Sequence, residues 1–293
     1  MRINKAIELL EQGQQVYGAN VHELSYENGK RLSTTWADYL GIEMEHHNFD
    51  IPALSEFMKG LADSAPTTSG HGTPTVIVTL PIDGIDETSI RGNTWILKQV
   101  LATGIHGMLL CHAESPDAVR AFVESCRYPF HAEVPELGVG RRGLGGHISA
   151  AEIWKCSPHQ YMELSDPWPL NPKGELFLGV KIENIRALSN CEDIACVPGL
   201  GFAEWGPGDM GLSFGYADAH DPPYPKQMDL ARERIKSALD SQDIAFLCSW
   251  NDVSLTTEER VKYLLKSNTK ILVGLGEDGA KIGRMTTQRT MPV

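Results

Sequence analysis

Along the chain, short runs of β-branched and apolar residues alternate with longer stretches whose apolar residues recur every three or four positions. A strand covered on both faces reads as a continuous apolar run, and the helix that covers it as an amphipathic stripe, so the alternation predicts parallel strands joined by crossover helices. Eight strands are predicted: QVYGANV (15–21), DYLGIEME (38–45), TVIVTLP (75–81), GMLLCH (107–112), LFLGVKIE (176–183), GFAEWGP (201–207), IAFLCSW (244–250) and TKILVGLG (269–276). Helical periodicity fills the intervals, most clearly over 51–61, 94–103, 116–126 and 226–241. Eight such units favour closure into a (β/α)8 barrel forming one domain over residues 1–293.

Two stretches break the rhythm. Residues 128–172 are too long for a simple connection, carry many Gly and Pro residues and contain a short helical piece near 150–155, which predicts an excursion serving function or subunit contact. The Pro-rich stretch 213–225 follows a Gly-Pro-Gly-Asp turn and is expected to border the site.

Composition narrows the function. The 293 residues are 42% hydrophobic and 22% charged, with a formal net charge of -12. That charge argues against non-specific binding to nucleic acid or an anionic membrane, since both need a basic surface. No apolar run is long enough to span a bilayer, and the amphipathic first fifteen residues lack the apolar core of a signal peptide, so a cytoplasmic location is expected. The six cysteines, Cys111, Cys126, Cys156, Cys191, Cys196 and Cys248, are scattered in a chain large enough to do without disulfides, and the Cys191 to Cys196 spacing is not that of a zinc knuckle.

In an α/β barrel the chemistry sits at the carboxyl ends of the strands. The polar residues there are Glu43, Glu45 and His46 after strand two, Thr79 on strand three, His112 after strand four, Glu183 after strand five, Asp209 after strand six, Trp250 and Asn251 after strand seven, and Glu277 after strand eight. Glu183 and Asp209 lie about one βα unit apart and can converge on one cation; two hard oxygen ligands suit Mg²⁺ or Mn²⁺. In Gly206-Pro207-Gly208-Asp209 the backbone amides can approach a substrate carboxylate closely. Strand alternation places Glu43 and Glu45 on one face, where a carboxylate can orient His46 for proton transfer. Spacing alone leaves open that Glu183 and Asp209 cap helices or form salt bridges, and that His46 and His47 are surface loop residues.

On these residues the chain resembles the HpcH/HpaI family of class II, metal-dependent pyruvate aldolases, which includes 4-hydroxy-2-oxoheptanedioate and 2-dehydro-3-deoxyglucarate aldolases. The likeness is carried by Glu43-Met44-Glu45-His46, Arg127-Tyr128-Pro129, Arg142-Gly143, Lys181-Ile182-Glu183 and Gly206-Pro207-Gly208-Asp209, in that order. The resemblance implies a barrel of the phosphoenolpyruvate/pyruvate type with a C-terminal helix exchanged in a dimer, and a dimer-based hexamer. It implies a divalent metal (Mg²⁺ or Mn²⁺, or Co²⁺) on Glu183 and Asp209, with His46 as base beside Glu45 and Glu43. The amides of Gly208 and Asp209 would hold the carboxylate, and a hydroxy-2-oxo acid would be cleaved or formed through a metal-stabilised enolate, with an oxo acid and an aldehyde as small-molecule partners. Thr79 stands where the family's strand carries a substrate-steadying arginine. Either another cation reaches in, from Arg91, Arg127, Arg141 or Arg142, or the substrate is a different oxo acid. The expected substrate-binding set is therefore Gly208, Asp209, Thr79, Arg127, Arg142, His112 and Trp250. Two rival readings are a Schiff-base enzyme using Lys181, for which a structural ion pair is the alternative role, and a barrel repurposed to bind a small acid.

Overall fold

The computed structural model describes residues 1–293, and in it all eight predicted strands form. They are β1 (Val16–Val21), β2 (Tyr39–Glu43), β3 (Thr75–Asp83), β4 (Gly107–Cys111), β6 (Leu176–Ile182), β7 (Phe202–Trp205), β8 (Ala245–Ser249) and β9 (Ile271–Val273); the two-residue β5 (Pro167–Trp168) lies outside the barrel and pairs only with β6. Every pairing is parallel, and closure comes from β4 on β6, with Gly107 opposite Phe177 and Leu110 opposite Val180. At the other junction β1 meets β9, with Val16 opposite Ile271.

The period of two along each strand divides the barrel into storeys. At the amino ends of the strands, the inward residues Tyr39, Ile77, Phe177, Phe202, Leu247 and Ile271 pack with Ala6, Ile7 and Leu9 of α1 (Lys5–Glu11). That helix plugs the bottom, its N-terminus capped by the Asn4 side chain. Two residues further along, Ile77 gives way to Thr79, Gly179 to Lys181, Phe202 to Glu204 and Leu247 to Ser249. These polar residues line a cavity of about 310 Å³ open towards the carboxyl ends. A larger apolar layer outside the strands, of 62 buried residues, joins them to the helices.

The C-terminal helix α14 (Gly276–Thr286) packs against the barrel of this chain. Only Gly274 and Leu275 separate it from β9, a connection that returns it beside the strand it follows. Its Gly283 packs so closely on the Tyr17 ring of β1 that a Cβ there would sit 2.0 Å from the tyrosine hydroxyl. Arg284 and Arg289 both reach the fully buried Asp38 carboxylate just before β2, where Lys5 Nζ also lies at 3.2 Å. The excursion 128–172, with helices α7 (His147–Ile153) and α8 (Pro158–Leu164), sits at the opposite end of the barrel from the strand carboxyl ends. Trp154 donates to the Gly104 carbonyl ahead of β4, and Asp166 accepts from the Leu176 N–H at the start of β6.

Candidate functional site

Glu183 follows β6 directly and is 1% exposed, yet it faces the cavity side of the barrel. His112, with its backbone in the left-handed region at φ 42°, turns its N–H onto Glu183 Oε1 at 2.9 Å. On the other side Gly206 abuts the same carboxylate: a Cβ there would lie 2.5 Å from Glu183 Oε2. Gly206 caps α11 (Pro207–Ser213), whose first turn carries Asp209, and one ligand atom each from His112, Glu183 and Asp209 lies within 4.8 Å of the others. The two carboxylates of the sequence reading thus converge, joined by a histidine. Burial raises the pKa of Glu183 above the usual carboxylate value against the opposing pull of Lys181 and the His112 N–H, so this buried group is undercompensated without a further cation. Two hard oxygen donors and an imidazole at this spacing fit a divalent ion. Gly206→Ala is expected to displace Glu183 and weaken Mn²⁺ binding with little change in secondary structure, as titration followed by electron paramagnetic resonance would show; unchanged affinity would contradict this packing.

Around the pair sits a network of fixed charges. Glu45 accepts from Lys181 Nζ at 2.6 Å, and Lys181 lies 3.8 Å from Glu183. His112 Nε2 is 3.5 Å from Glu45. Burial works to raise the Glu45 carboxyl, but the Lys181 hydrogen bond and charge outweigh it and the net displacement is downward. For Lys181 burial opposes the charge, while Glu204, Cys111, Glu183 and Glu45 more than offset it and raise the pKa. A Schiff-base nucleophile must be a free amine; the 2.6 Å ion pair of Lys181 with Glu45 favours the structural role for this lysine over that reading. At the rim, the Glu43 carboxylate accepts the backbone N–H groups of Glu45 and His46, bending the chain out of β2. His46, 65% exposed, has Nδ1 3.7 Å from Glu45 and 3.8 Å from Glu43, and His47 is 3.7 Å from Glu43.

Other expected site residues lie elsewhere. Arg127 and Arg142 belong to the bottom of the barrel: Arg127 is buried against Asp166 at 2.7 Å, and Arg142 donates to the Tyr161 hydroxyl at 2.7 Å. Arg91 and Arg141 pair with Glu124. Trp250 faces the helical layer and stacks on Tyr263 at 4.0 Å, because Leu247 and Ser249 take the inward positions of β8. Thr79 does line the cavity, as does His220 from the Pro-rich segment expected to border it.

Three groups were missed. Asp83, on an extension of β3, lies with Glu45 and His112, and Cys111 with Glu45 and Glu183. Glu204 lines the cavity from β7, where burial, acting against Lys181, raises its carboxyl to about 7. Inward alternation on β7 from Phe202 would have found it. A folded-state pKa above the unfolded value means that Glu204 costs nothing in acid and progressively destabilises the fold as pH climbs from about 4.5 through 7. Thermal melts of Glu204→Gln should therefore decline less than wild type over that window; parallel curves would contradict the placement.

No family model matches the sequence. The chain is 26% identical over 186 residues to the hydroxypyruvate/pyruvate aldolase of Delftia acidovorans, covering 64% of this chain and 57% of that protein. It is 29% identical over 150 residues to the 2-keto-3-deoxy-L-rhamnonate aldolase of Klebsiella pneumoniae, covering 51% of this chain and 50% of that protein. The matches thus span little more than half the length of these relatives. Among solved structures, an HpcH/HpaI aldolase/citrate lyase family protein from Burkholderia cenocepacia superposes with a TM-score of 0.69 at 20% identity, over 97% of this chain and 96% of that one.

Proposed function

From a sequence similar to curated aldolases and a barrel shared with HpcH/HpaI family proteins, we propose that this chain is a divalent-metal-dependent carbon–carbon lyase of the aldolase class, acting on a hydroxy-2-oxo acid. The observation that carries the reading is the meeting of Glu183, Asp209 and His112 at the carboxyl ends of the strands, directly above the polar cavity. Mg²⁺, Mn²⁺ and Co²⁺ all match the donor set.

Glu183 and Asp209 would hold the ion, with His112 closing the third side. A bound cation supplies Lewis-acid stabilisation of the negative charge that develops on the 2-oxo oxygen. The chain's own residues do the rest. The backbone N–H groups of Gly208 and Asp209, in the first turn of α11, lack intrahelical partners and are placed to receive the substrate carboxylate. His46, between the Glu43 and Glu45 carboxylates, takes the hydroxyl proton of the alcohol that is cleaved, and returns it in the synthetic direction. Lys181 keeps Glu45 ionised and aimed at that imidazole. We place the protein in the cytoplasm and, as the resemblance implies, in a homo-oligomer built from dimers; no helix is long and apolar enough to cross a membrane.

Solvent-deuterium exchange into the methyl group of pyruvate tests the reading without requiring the aldehyde partner. Exchange that depends on Mn²⁺ and stops on chelation is expected, and activity on 2-oxo or hydroxy-oxo acids that survives complete chelation would overturn it. His46→Gln should lower cleavage by roughly 10²- to 10⁴-fold, the usual weight of a positioned base; cleavage at the wild-type rate would remove His46 from this role. Thr79 in the cavity favours a second reading, a barrel that binds a small acid without turning it over. Tight oxalate binding with no exchange would select it.

A further inference from the structure

The cavity is lined by fifteen residues, and Lys181 is its one Lys or Arg side chain. Thr79 lies two strands away around the same wall, β3 and β6 being separated only by β4. The four arginines considered as replacements are committed to Asp166, Tyr161 or Glu124 away from the mouth. An anionic substrate entering this cavity therefore meets the carboxylates of Glu43 and Glu204 in its lining, with Glu45 and Glu183 close behind Lys181, and a single compensating charge. That charge is precisely placed only at its base: one contact of the ammonium goes to Glu45 at 2.6 Å, while Glu183 is farther, at 3.8 Å. An ammonium has three donors, so hydrogen-bonding capacity is left facing the lumen.

Resting on the function proposed above, we propose that Lys181 is the substrate-contacting cation of this barrel, donating to the oxo-acid oxygens from β6 and taking over the work of a positive charge on β3. The charge has moved two strands around the wall, which makes Lys181 a specificity residue as well as the partner of Glu45. It favours a ligand that presents anionic oxygen low in the cavity.

Lys181→Gln tests the assignment with Mn²⁺ and oxalate, the latter standing in for the anionic oxygens of an enolised oxo acid. The amide still donates to Glu45 but carries no charge. Loss of a charged hydrogen bond is expected to weaken oxalate by roughly 10- to 100-fold in calorimetry on the Mn²⁺-loaded protein. Mn²⁺ affinity, read separately by electron paramagnetic resonance, should stay level or tighten, because a positive charge 3.8 Å from Glu183 has gone. A merely structural lysine would weaken both together. Lys181→Arg should retain oxalate binding, and Thr79→Arg added to Lys181→Gln should restore it. Thr79→Arg alone leaves every native contact of Lys181 in place and should tighten oxalate; it carries the test if Lys181→Gln does not fold. Unchanged oxalate affinity in Lys181→Gln, a loss that only follows Mn²⁺ affinity, no response to Thr79→Arg, or a wild-type protein that binds Mn²⁺ but no oxalate each overturns the assignment alone. A wild-type protein that takes up no Mn²⁺ overturns the metal reading and this assignment with it.

Discussion

Glu183→Gln should abolish Mn²⁺-dependent deuterium exchange into pyruvate, a fall of about 10³-fold or more, because Lewis-acid stabilisation amounts to several kcal/mol and each 1.4 kcal/mol is a decade in rate. The same substitution should leave the metal-free protein as stable as wild type or more so. Glu183 is 1% exposed and its pKa is raised by burial, so the folded chain bears the cost of a buried, undercompensated carboxylate. A raised folded-state pKa places that cost above the ordinary carboxylate range and removes it in acid. The stabilising effect of Glu183→Gln should therefore appear at neutral pH and vanish at low pH. For the same reason Mn²⁺ must compete with a proton at Glu183, and wild-type affinity should fall as the solution is acidified. Stability gained while activity is lost marks a residue kept for chemistry; a variant that is unstable yet active would show that Glu183 only supports the fold.

The largest effect on stability is expected at the other end of the barrel. Asp38 is fully buried and gathers Lys5, Arg284 and Arg289, with Arg289 at 2.6 Å, and it also accepts the Tyr17 N–H at 3.0 Å. Burial alone would raise its pKa, but the Arg289 hydrogen bonds and the surrounding charges win and hold it below the usual carboxylate value. Its contribution is thus present at neutral pH and is lost as pH falls through that depressed value. Asp38→Ala leaves Lys5 and Arg289 as buried cations without their partner, a loss of about 3–5 kcal/mol. Urea denaturation should show a lower midpoint, and near-native stability would contradict the docking of α1 and the C-terminal segment through this carboxylate.

The barrel was legible because short β-branched and apolar runs of strand length alternate regularly with longer stretches of helical period. The polar storey inside it was harder to read for the same reason. Lys181 and Glu204 sit within LFLGVKIE and GFAEWGP, where the apolar neighbours define the strand and a single polar residue looks incidental. Phase decides its meaning: Glu204 is two residues beyond the inward Phe202, and Lys181 two before Glu183. Trp250 fails by that same phase, lying one step out of register with Ser249. Arg127 and Arg142 were assigned to the mouth on motif alone, although α6 (Pro116–Cys126) runs back from the carboxyl end of β4 and delivers Arg127 to the bottom. The helix α2 (Tyr26–Leu32) went unpredicted because YENGKRL has almost no apolar stripe. It is fixed by close packing on α3 (Ile51–Ala62), where a Cβ on Gly29 would lie 2.2 Å from the Phe57 carbonyl. The one-unit spacing of Glu183 and Asp209 allows their convergence but fits helix caps or salt bridges equally, and the part of His112 depends on a left-handed backbone that no spacing reveals.

The site stands or falls on where one ion binds. Anomalous scattering from a crystal grown with Mn²⁺ and oxalate should give a peak coordinated by the carboxylates of Glu183 and Asp209, with oxalate reaching from it into the cavity. A Mn²⁺ peak at other residues, with Glu183 and Asp209 making no contact to it, would contradict the proposed chemistry.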